Sequence, residues 1–292
     1  MTYPYMPNPV PRAVTFRRLL ILFILLLLFT AAAAFIQFAW LGPSLSLEIP
    51  IDMSVRWMQL ITTLLSFLLP ALCWAILERR SNPSPLATSR PSPATWLLYG
   101  LAVGLLMVMP NTLLTELNAS IPQPDWAAEM DKRVQEASYA LLAVNTLPGY
   151  LVNTLVIAIA PAICEELFFR GALQQSLLHL IRSPHAAVWI CAAFFSLIHF
   201  QLSGFLPRLA LGAALGYLAY YSRSVWPAVI MHFTNNFIAV TLAAIAYRNG
   251  DIEQFDHPAP WVAWPFALLC MGLIIALFVR EEKKQLGTRQ QS

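Results

Sequence analysis

Near the amino terminus, residues 19–41 read LLILFILLLLFTAAAAFIQFAWL, a stretch without a charged side chain. A transmembrane helix needs roughly 20 mostly apolar residues, because the hydrocarbon core of a bilayer is about 30 Å thick. Residues 19–29, followed by the alanines at 31–34, are also typical of a cleaved secretory signal. The apolar run continues past those alanines, however, so we expect an uncleaved membrane-spanning helix.

The whole chain has the composition of a membrane protein. Of its 292 residues, 58% are hydrophobic and only 11% are charged, whereas an ordinary soluble domain has about 25% charged residues. So few charged side chains cannot cover a water-soluble core. The net charge of +3 is small and no Lys/Arg block is present, which argues against a nucleic-acid partner. The expected surroundings are the lipid bilayer.

Apolar segments of spanning length recur along the chain and predict an all-α polytopic transmembrane bundle of about eight spans. Their approximate limits are 19–41, 57–77, 96–117, 150–169, 186–204, 205–221, 225–247 and 261–279. An even number of spans puts both termini on one side, and most of the 18 basic residues then fall on that side. The positive-inside rule therefore predicts cytoplasmic N and C termini. We expect a multi-pass protein of the plasma (inner) membrane.

The fourth span contains three charged residues, because residues 161–171 read PAICEELFFRG. An ionisable side chain inside a span is unfavourable by about 2.5–3.5 kcal/mol and marks a functional position by default. Glu166 and Arg170 share a helix face, which predicts an ion pair. Glu165 points about 100° away from Glu166, and we expect it to activate water as a general base. The alternative, favoured for Glu166, is that the carboxylates only neutralise cations and hold the bundle together.

Two later spans each place a histidine in apolar surroundings. His199 follows Phe195 by four residues, and Asn236 follows His232 by the same spacing, so each pair shares a helix face. A single intramembrane histidine is more often a packing residue than a ligand. Together, a carboxylate, two imidazoles and an amide predict a site that activates water and stabilises an oxyanion. Asn235 points elsewhere, and we expect it to join neighbouring helices.

The sixth span contains a packing signal and a cation. Gly212 and Gly216 have the small-xxx-small spacing that lets another helix approach closely. Arg208, at the start of this span, would either reach out to the membrane interface, which is favoured, or bind a substrate carboxylate.

In this order, the patterns E-E-x-x-x-R, F-x-x-x-H, a glycine-bearing span and H-x-x-x-N resemble the CPBP family of intramembrane proteases, also called the Abi or CAAX-protease-like family. The resemblance covers roughly residues 150–240. The residues that carry it are Glu165, Glu166, Arg170, Phe195, His199, Gly212, Gly216, His232 and Asn236.

This resemblance implies a membrane-embedded endopeptidase that cleaves membrane-associated proteins or peptides. By carry-over from the family, Glu165 and His199 would activate the attacking water, and His232 with Asn236 would stabilise the oxyanion. Glu166, Arg170 and Phe195 would support them. One alternative is a non-catalytic membrane binding or bacteriocin-immunity protein with the same fold. A transporter is a third function, but no inverted repeat is visible to support it.

A metal is left open by the resemblance. The family is usually catalogued among metalloproteases, and a metal-free, glutamate-dependent mechanism has also been argued for it. Glu165, His199 and His232 would make a His₂Glu site for Zn²⁺ with an open position for water. The chain has no H-E-x-x-H sequence, the usual helical zinc signature.

The distribution of polar residues suggests a division of the chain. We expect a cytoplasmic N-terminal segment (1–18), a three-span scaffold (19–117), an outer loop with a possible amphipathic helix (118–148), a CAAX-protease-like catalytic core (149–247) and a last span with a cytoplasmic tail (248–292). Straight perpendicular spans would put His199 about 20 Å and His232 about 10 Å from the inner face. Helix tilt, a fourth helix running to about Leu180, or a break near residues 204–207 would bring them level.

Overall fold

The structure is a computed structural model that describes residues 11–41, 53–79, 85–88, 92–181, 183–250 and 261–290. Within these ranges the chain forms helices and turns without a β-strand, so the predicted all-α class is confirmed. In chain order the helices are α1 (Arg12–Leu41), α2 (Met53–Glu78), α3 (Ala94–Leu106), α4 (Val108–Ala119), α5 (Asp125–Leu142), α6 (Leu147–Ile181), α7 (Pro184–Leu197), α8 (Phe205–Ser222), α9 (Trp226–Asn249) and α10 (Trp264–Gln290).

The predicted polytopic bundle is also confirmed. In the described ranges, α1, α2, α6, α8, α9 and α10 are long and apolar enough to cross a membrane, and α3 with α4, bent by 43°, would make a seventh span. Helix α7 is apolar but has only 14 residues. These units follow the eight predicted segments in order. Large apolar side chains on the outer helices are exposed, such as Leu27 and Phe266, as expected where a helix faces lipid.

Helix α6 has 35 residues and continues well past the predicted end of its span at residue 169. Two stretches of it are π-helical, Thr154–Ile159 and Leu167–Leu173, and α2 contains a third, Leu64–Leu68. A π-helical turn accommodates one extra residue and is frequent at functional sites. The glutamate pair lies between the two π-helical stretches of α6.

Close packing of helices around α6 depends on glycines. A Cβ atom on Gly212 of α8 would lie 3.1 Å from the Cβ of Ala192 on α7, and one on Gly216 would lie 2.9 Å from a methyl of Val188. The close approach predicted from these two glycines is thus confirmed. Gly104 of α3 lies equally close to Thr234 of α9, a contact that the sequence analysis missed.

The polar segment after α4 forms α5, an amphipathic helix of 18 residues. Its last turn is tied to the bundle, because the carbonyl of Leu141 accepts hydrogen bonds from Arg56 (3.2 Å) and Asn153 (2.8 Å). Arg56 also donates to the side-chain oxygen of Asn153 at 2.8 Å. These buried bonds fix one end of α5 against α2 and α6.

Candidate active site

Glu166 lies at the centre of a buried polar group. Its carboxylate forms an ion pair with Arg170 (Nε–Oε2 3.2 Å), one turn along α6, and accepts a hydrogen bond from Nδ1 of His232 on α9 at 2.8 Å. The side chains of Glu166 and Arg170 are 0% exposed. The ion pair predicted from the sequence is present, and the carboxylate also holds a histidine of another helix. Glu166 therefore fixes the orientation of His232.

Glu165 differs from its neighbour in having no partner. Within the described part of the chain it makes no hydrogen bond or ion pair, and 9% of its surface stays accessible. It lies within electrostatic range of His232, Glu166 and Arg170. Of the two adjacent carboxylates, only Glu165 has oxygens left to bind another molecule.

His199 and His232 both lie beside one aromatic ring. The Phe195 ring is 5.2 Å from the His199 ring and 5.9 Å from the His232 ring, centroid to centroid. The guanidinium carbon of Arg170 lies 4.9 Å from the centroid of the same Phe195 ring. The structure thus brings the two predicted histidines next to the same phenylalanine ring.

Each histidine donates through Nδ1. His199 bonds the backbone carbonyl of Phe195 at 2.7 Å, and because a carbonyl only accepts, its Nδ1 carries a proton. His232 donates to the Glu166 carboxylate in the same way. In the neutral form each ring is left with Nε2 as an acceptor. The described residues offer no partner to either Nε2 atom.

His199 lies just beyond the end of α7, in the connector to α8 (residues 198–204). The predicted fifth span extended to residue 204, and that limit is wrong because α7 ends at Leu197. Phe200 then has a φ of 51°, so the chain turns away from the helix axis. This break and the long α6 are two of the three features proposed to bring the histidines level.

Polar side chains of α4 and α5 hold the connector. Asp131, only 6% exposed, accepts hydrogen bonds from the backbone N–H groups of Leu202 (2.9 Å) and Ser203 (2.6 Å). Asn118 donates to the Leu202 carbonyl and accepts from the N–H of Leu206, both at 2.8 Å, which caps the first turn of α8. Helices α4 and α5 therefore anchor the segment that carries His199.

Arg208 contacts the connector between α7 and α8. Its guanidinium folds back onto the connector and donates to the carbonyl and the side-chain oxygen of Gln201 at 2.9 to 3.0 Å. It lies within electrostatic range of His199. The described ranges contain no acidic group within ion-pair distance of it.

Asn236 is held by the backbone of α6. Its Nδ2 donates to the carbonyl of Ile157 at 3.0 Å, within a π-helical stretch. Residue 161, four positions further along α6, is a proline and has no N–H to offer that carbonyl. Asn236 thereby satisfies a backbone acceptor, and it retains a second N–H that no described residue binds.

Two side chains of α6 bind the backbone of α8. Arg170 donates to the carbonyl of Gly212 and Gln174 donates to that of Gly216, each at 2.9 Å. Both donors are buried. The glycines thus permit close packing and also expose their carbonyls to α6. Gln174 was missed in the sequence, although a glutamine one turn after Arg170 shares its helix face.

The predicted donors do not form a three-ligand metal site as placed. Among the described residues, no three His, Cys, Asp or Glu side chains lie close enough together to hold a metal ion. The hydrogen-bonded Nδ1 atoms of His199 and His232 are typical of metal-binding histidines, but Glu165 does not complete a set with them.

Comparison with protein families identifies the region that forms the site. Residues 147–238 match the family model described as type II CAAX prenyl endopeptidase Rce1-like. Searches of the curated proteins and of the solved structures found no match. The matched range begins with α6 and ends within α9, so it contains every residue for which a catalytic role was predicted. This match confirms the resemblance to CAAX-protease-like proteins that the sequence motifs indicated.

Proposed function

We propose that this protein is an intramembrane endopeptidase that hydrolyses peptide bonds of membrane-associated polypeptides, with water activated by Glu165 and His199. The family match over residues 147–238 supports the general class. The observation that carries the proposal is the contrast between the adjacent carboxylates. Glu166 is occupied by Arg170 and His232, whereas Glu165 is 9% exposed and has no hydrogen-bond or ion-pair partner among the described residues.

The charges of the site suit this reaction. Glu165 and Glu166 bring two negative charges and Arg170 one positive charge, so a proton on His232 makes the group neutral. In the proposed mechanism His232 carries that proton. Glu165 is then the ionised carboxylate that accepts a proton, and the His232 imidazolium donates through Nε2.

In the first step, Glu165 takes one proton of the water molecule while Nε2 of His199 accepts a hydrogen bond from the other O–H. The hydroxide oxygen forms a bond to the carbonyl carbon of the peptide. The negative charge thus leaves Glu165 and appears on the carbonyl oxygen. Nε2–H of His232 and the free N–H of Asn236 then stabilise that oxyanion.

In the second step, the C–N bond of the tetrahedral intermediate breaks. The leaving nitrogen takes the proton that Glu165 received from water, which releases an amine and a carboxylic acid and restores the Glu165 carboxylate. The group of charges has the same net charge in both steps. Glu166 and Arg170 do not touch the reacting atoms and act by orienting His232.

Glu165→Gln tests the proposal because it keeps the shape of the side chain and removes the base. We expect cleavage to fall at least about 100-fold, the lower range for loss of a general base. The measurement compares the peptide termini of the membrane proteome in cells that express the wild type or the variant at equal protein levels. Glu129→Gln, an exposed glutamate of α5, is the matched control and should cleave as the wild type does.

Termini that disappear only with Glu165→Gln would establish proteolysis and identify substrates. Termini that are the same with both proteins, with the variant folded and abundant, would contradict the proposal. The non-catalytic binding or immunity function would then be the better explanation.

A further inference from the structure

Three asparagines on two helices form a row of hydrogen bonds that ends at the site. Nδ2 of Asn111 on α4 donates to Oδ1 of Asn235 on α9 at 2.9 Å. Nδ2 of Asn235 donates to Oδ1 of Asn236 at 3.2 Å, and Nδ2 of Asn236 donates to the Ile157 carbonyl at 3.0 Å. We call Asn111, Asn235 and Asn236 the asparagine row.

The direction of the row is fixed at one end. The Ile157 carbonyl only accepts, so Asn236 must present its NH₂ group there and its oxygen to Asn235. Asn235 must then donate to Asn236 and accept from Asn111. A side chain at position 111 therefore has to be a donor. An acceptor there would face the oxygen of Asn235, unless Asn235 turned its amide around and lost its bond to Asn236.

Asn111 meets this requirement with its NH₂ group, while its oxygen is left without a partner. This Oδ1 atom is buried and accepts no hydrogen bond. An unsatisfied buried acceptor is unfavourable by about 1–3 kcal/mol, and local violations of this kind are expected where a residue serves function. The donor half of Asn111 is used, while the acceptor half is left unsatisfied.

We propose that Asn111 is a positioning residue for the reaction, acting through Asn235 to hold and polarise the amide of Asn236. The inference rests on the proposed function, in which Asn236 stabilises the oxyanion. A chain of amides that donate in one direction strengthens each successive donor. The free N–H of Asn236 is the last donor of the row.

Two substitutions test this role. Asn111→Leu removes the donor and should lower the cleavage rate on the order of tenfold, less than the loss of a direct oxyanion donor. Asn111→Asp keeps the shape but places an acceptor at position 111 when ionised, so its loss should be larger. A protonated Asp donates through its O–H, so its rate relative to the wild type should rise as the pH is lowered, whereas the relative rate of Asn111→Leu should not change.

The assay follows initial rates of formation of the termini that the wild type produces and Glu165→Gln does not, in membranes at matched protein levels and several pH values. Thr112→Val is the matched control on the same helix, since Thr112 is exposed and bonds only the Met109 carbonyl. Melting temperatures in detergent identify variants that fail to fold.

The outcomes separate this inference from the proposed function. If Glu165→Gln is inactive while Asn111→Leu cleaves at the wild-type rate, or the relative rate of Asn111→Asp does not change with pH, the positioning role is overturned and the proposed function stands. If Glu165→Gln cleaves as the wild type does, both are overturned. The inference is supported if the relative rate of Asn111→Asp rises as the pH is lowered and the relative rate of Asn111→Leu does not change.

Discussion

The two histidines of the site are held in different ways. His232 lies in the interior of α9 and is 3% exposed, with Nδ1 bound to the buried carboxylate of Glu166. His199 is half-buried, lies beyond the end of α7, and bonds only a backbone carbonyl. Its position depends on a connector that Asp131 of α5 anchors.

The site therefore has a fixed side, which carries His232, and an adjustable side, which carries His199. Disturbing His232 requires breaking a buried ion pair, which affects the fold as well as the reaction. Disturbing His199 requires only loss of the hydrogen bonds that Asp131 accepts from the connector, and it breaks no ion pair. Stability and activity should therefore respond differently to substitutions on the two sides.

The largest effect is expected on the fixed side, from Glu166→Gln. This substitution leaves the buried charge of Arg170 without its counter-ion and should lower the free energy of unfolding by about 3–5 kcal/mol. The matched control is Glu129→Gln, which breaks an exposed Glu–Arg pair of the same spacing with Arg133 and should change stability by only about 0.3–0.5 kcal/mol. Unfolding in SDS, followed by tryptophan fluorescence, measures both.

Equal stability of these two variants would contradict the view that His232 belongs to a rigid, charge-held core.

A smaller effect, confined to activity, is expected on the adjustable side from Asp131→Ala. The connector loses two backbone hydrogen bonds, and His199 is displaced with it. We expect kcat/KM to fall on the order of tenfold, since a misplacement of about 1 Å can lower a rate about 100-fold. The rate of cleavage at a site identified with the wild type provides the measurement.

Glu136→Ala, an exposed residue of the same helix, serves as the control for Asp131→Ala and should retain activity. An Asp131→Ala variant that unfolds as readily as Glu166→Gln would remove the distinction between the two sides.

The smallest effect is expected from metal removal, which tests whether the two histidines bind a common metal ion. No three potential metal ligands converge among the described residues. We therefore expect excess 1,10-phenanthroline to change kcat/KM by less than about twofold. A zinc peptidase with an open site would instead lose its Lewis acid and its activity. Loss of activity that added Zn²⁺ restores would show that Glu165, His199 and His232 come together around a metal.

Local spacing predicted part of the site. The Glu166–Arg170 pair and the shared face of His232 and Asn236 follow from residues four apart on a helix, a relation that needs no tertiary structure. The bond between Glu166 and His232 could not be predicted in this way, since it joins two residues of different helices that are 66 positions apart in the sequence. The catalytic roles of these residues stay predictions.

Other residues were missed for a different reason. Asp131 and Asn118 lie in or beside a polar loop, where a buried cap and a solvated side chain look alike in sequence. Asn111 gave a usable signal, because an amide inside an apolar span usually binds another helix, yet its region was interpreted as scaffold. The cytoplasmic termini, the plasma membrane and the boundaries of the sequence divisions also stay predictions.

The π-helical stretch Thr154–Ile159 makes chain length part of the site's design. Each such stretch behaves as a one-residue insertion in an α-helix. Deleting Val156, a buried apolar residue of this stretch, would restore regular helical winding and turn the following glutamates by about 100° relative to the preceding part of α6. A related protein that is one residue shorter here, with every polar residue intact, would no longer present Glu166 to His232. A gap in the alignment of this helix is therefore as informative about function as a substitution in the motifs.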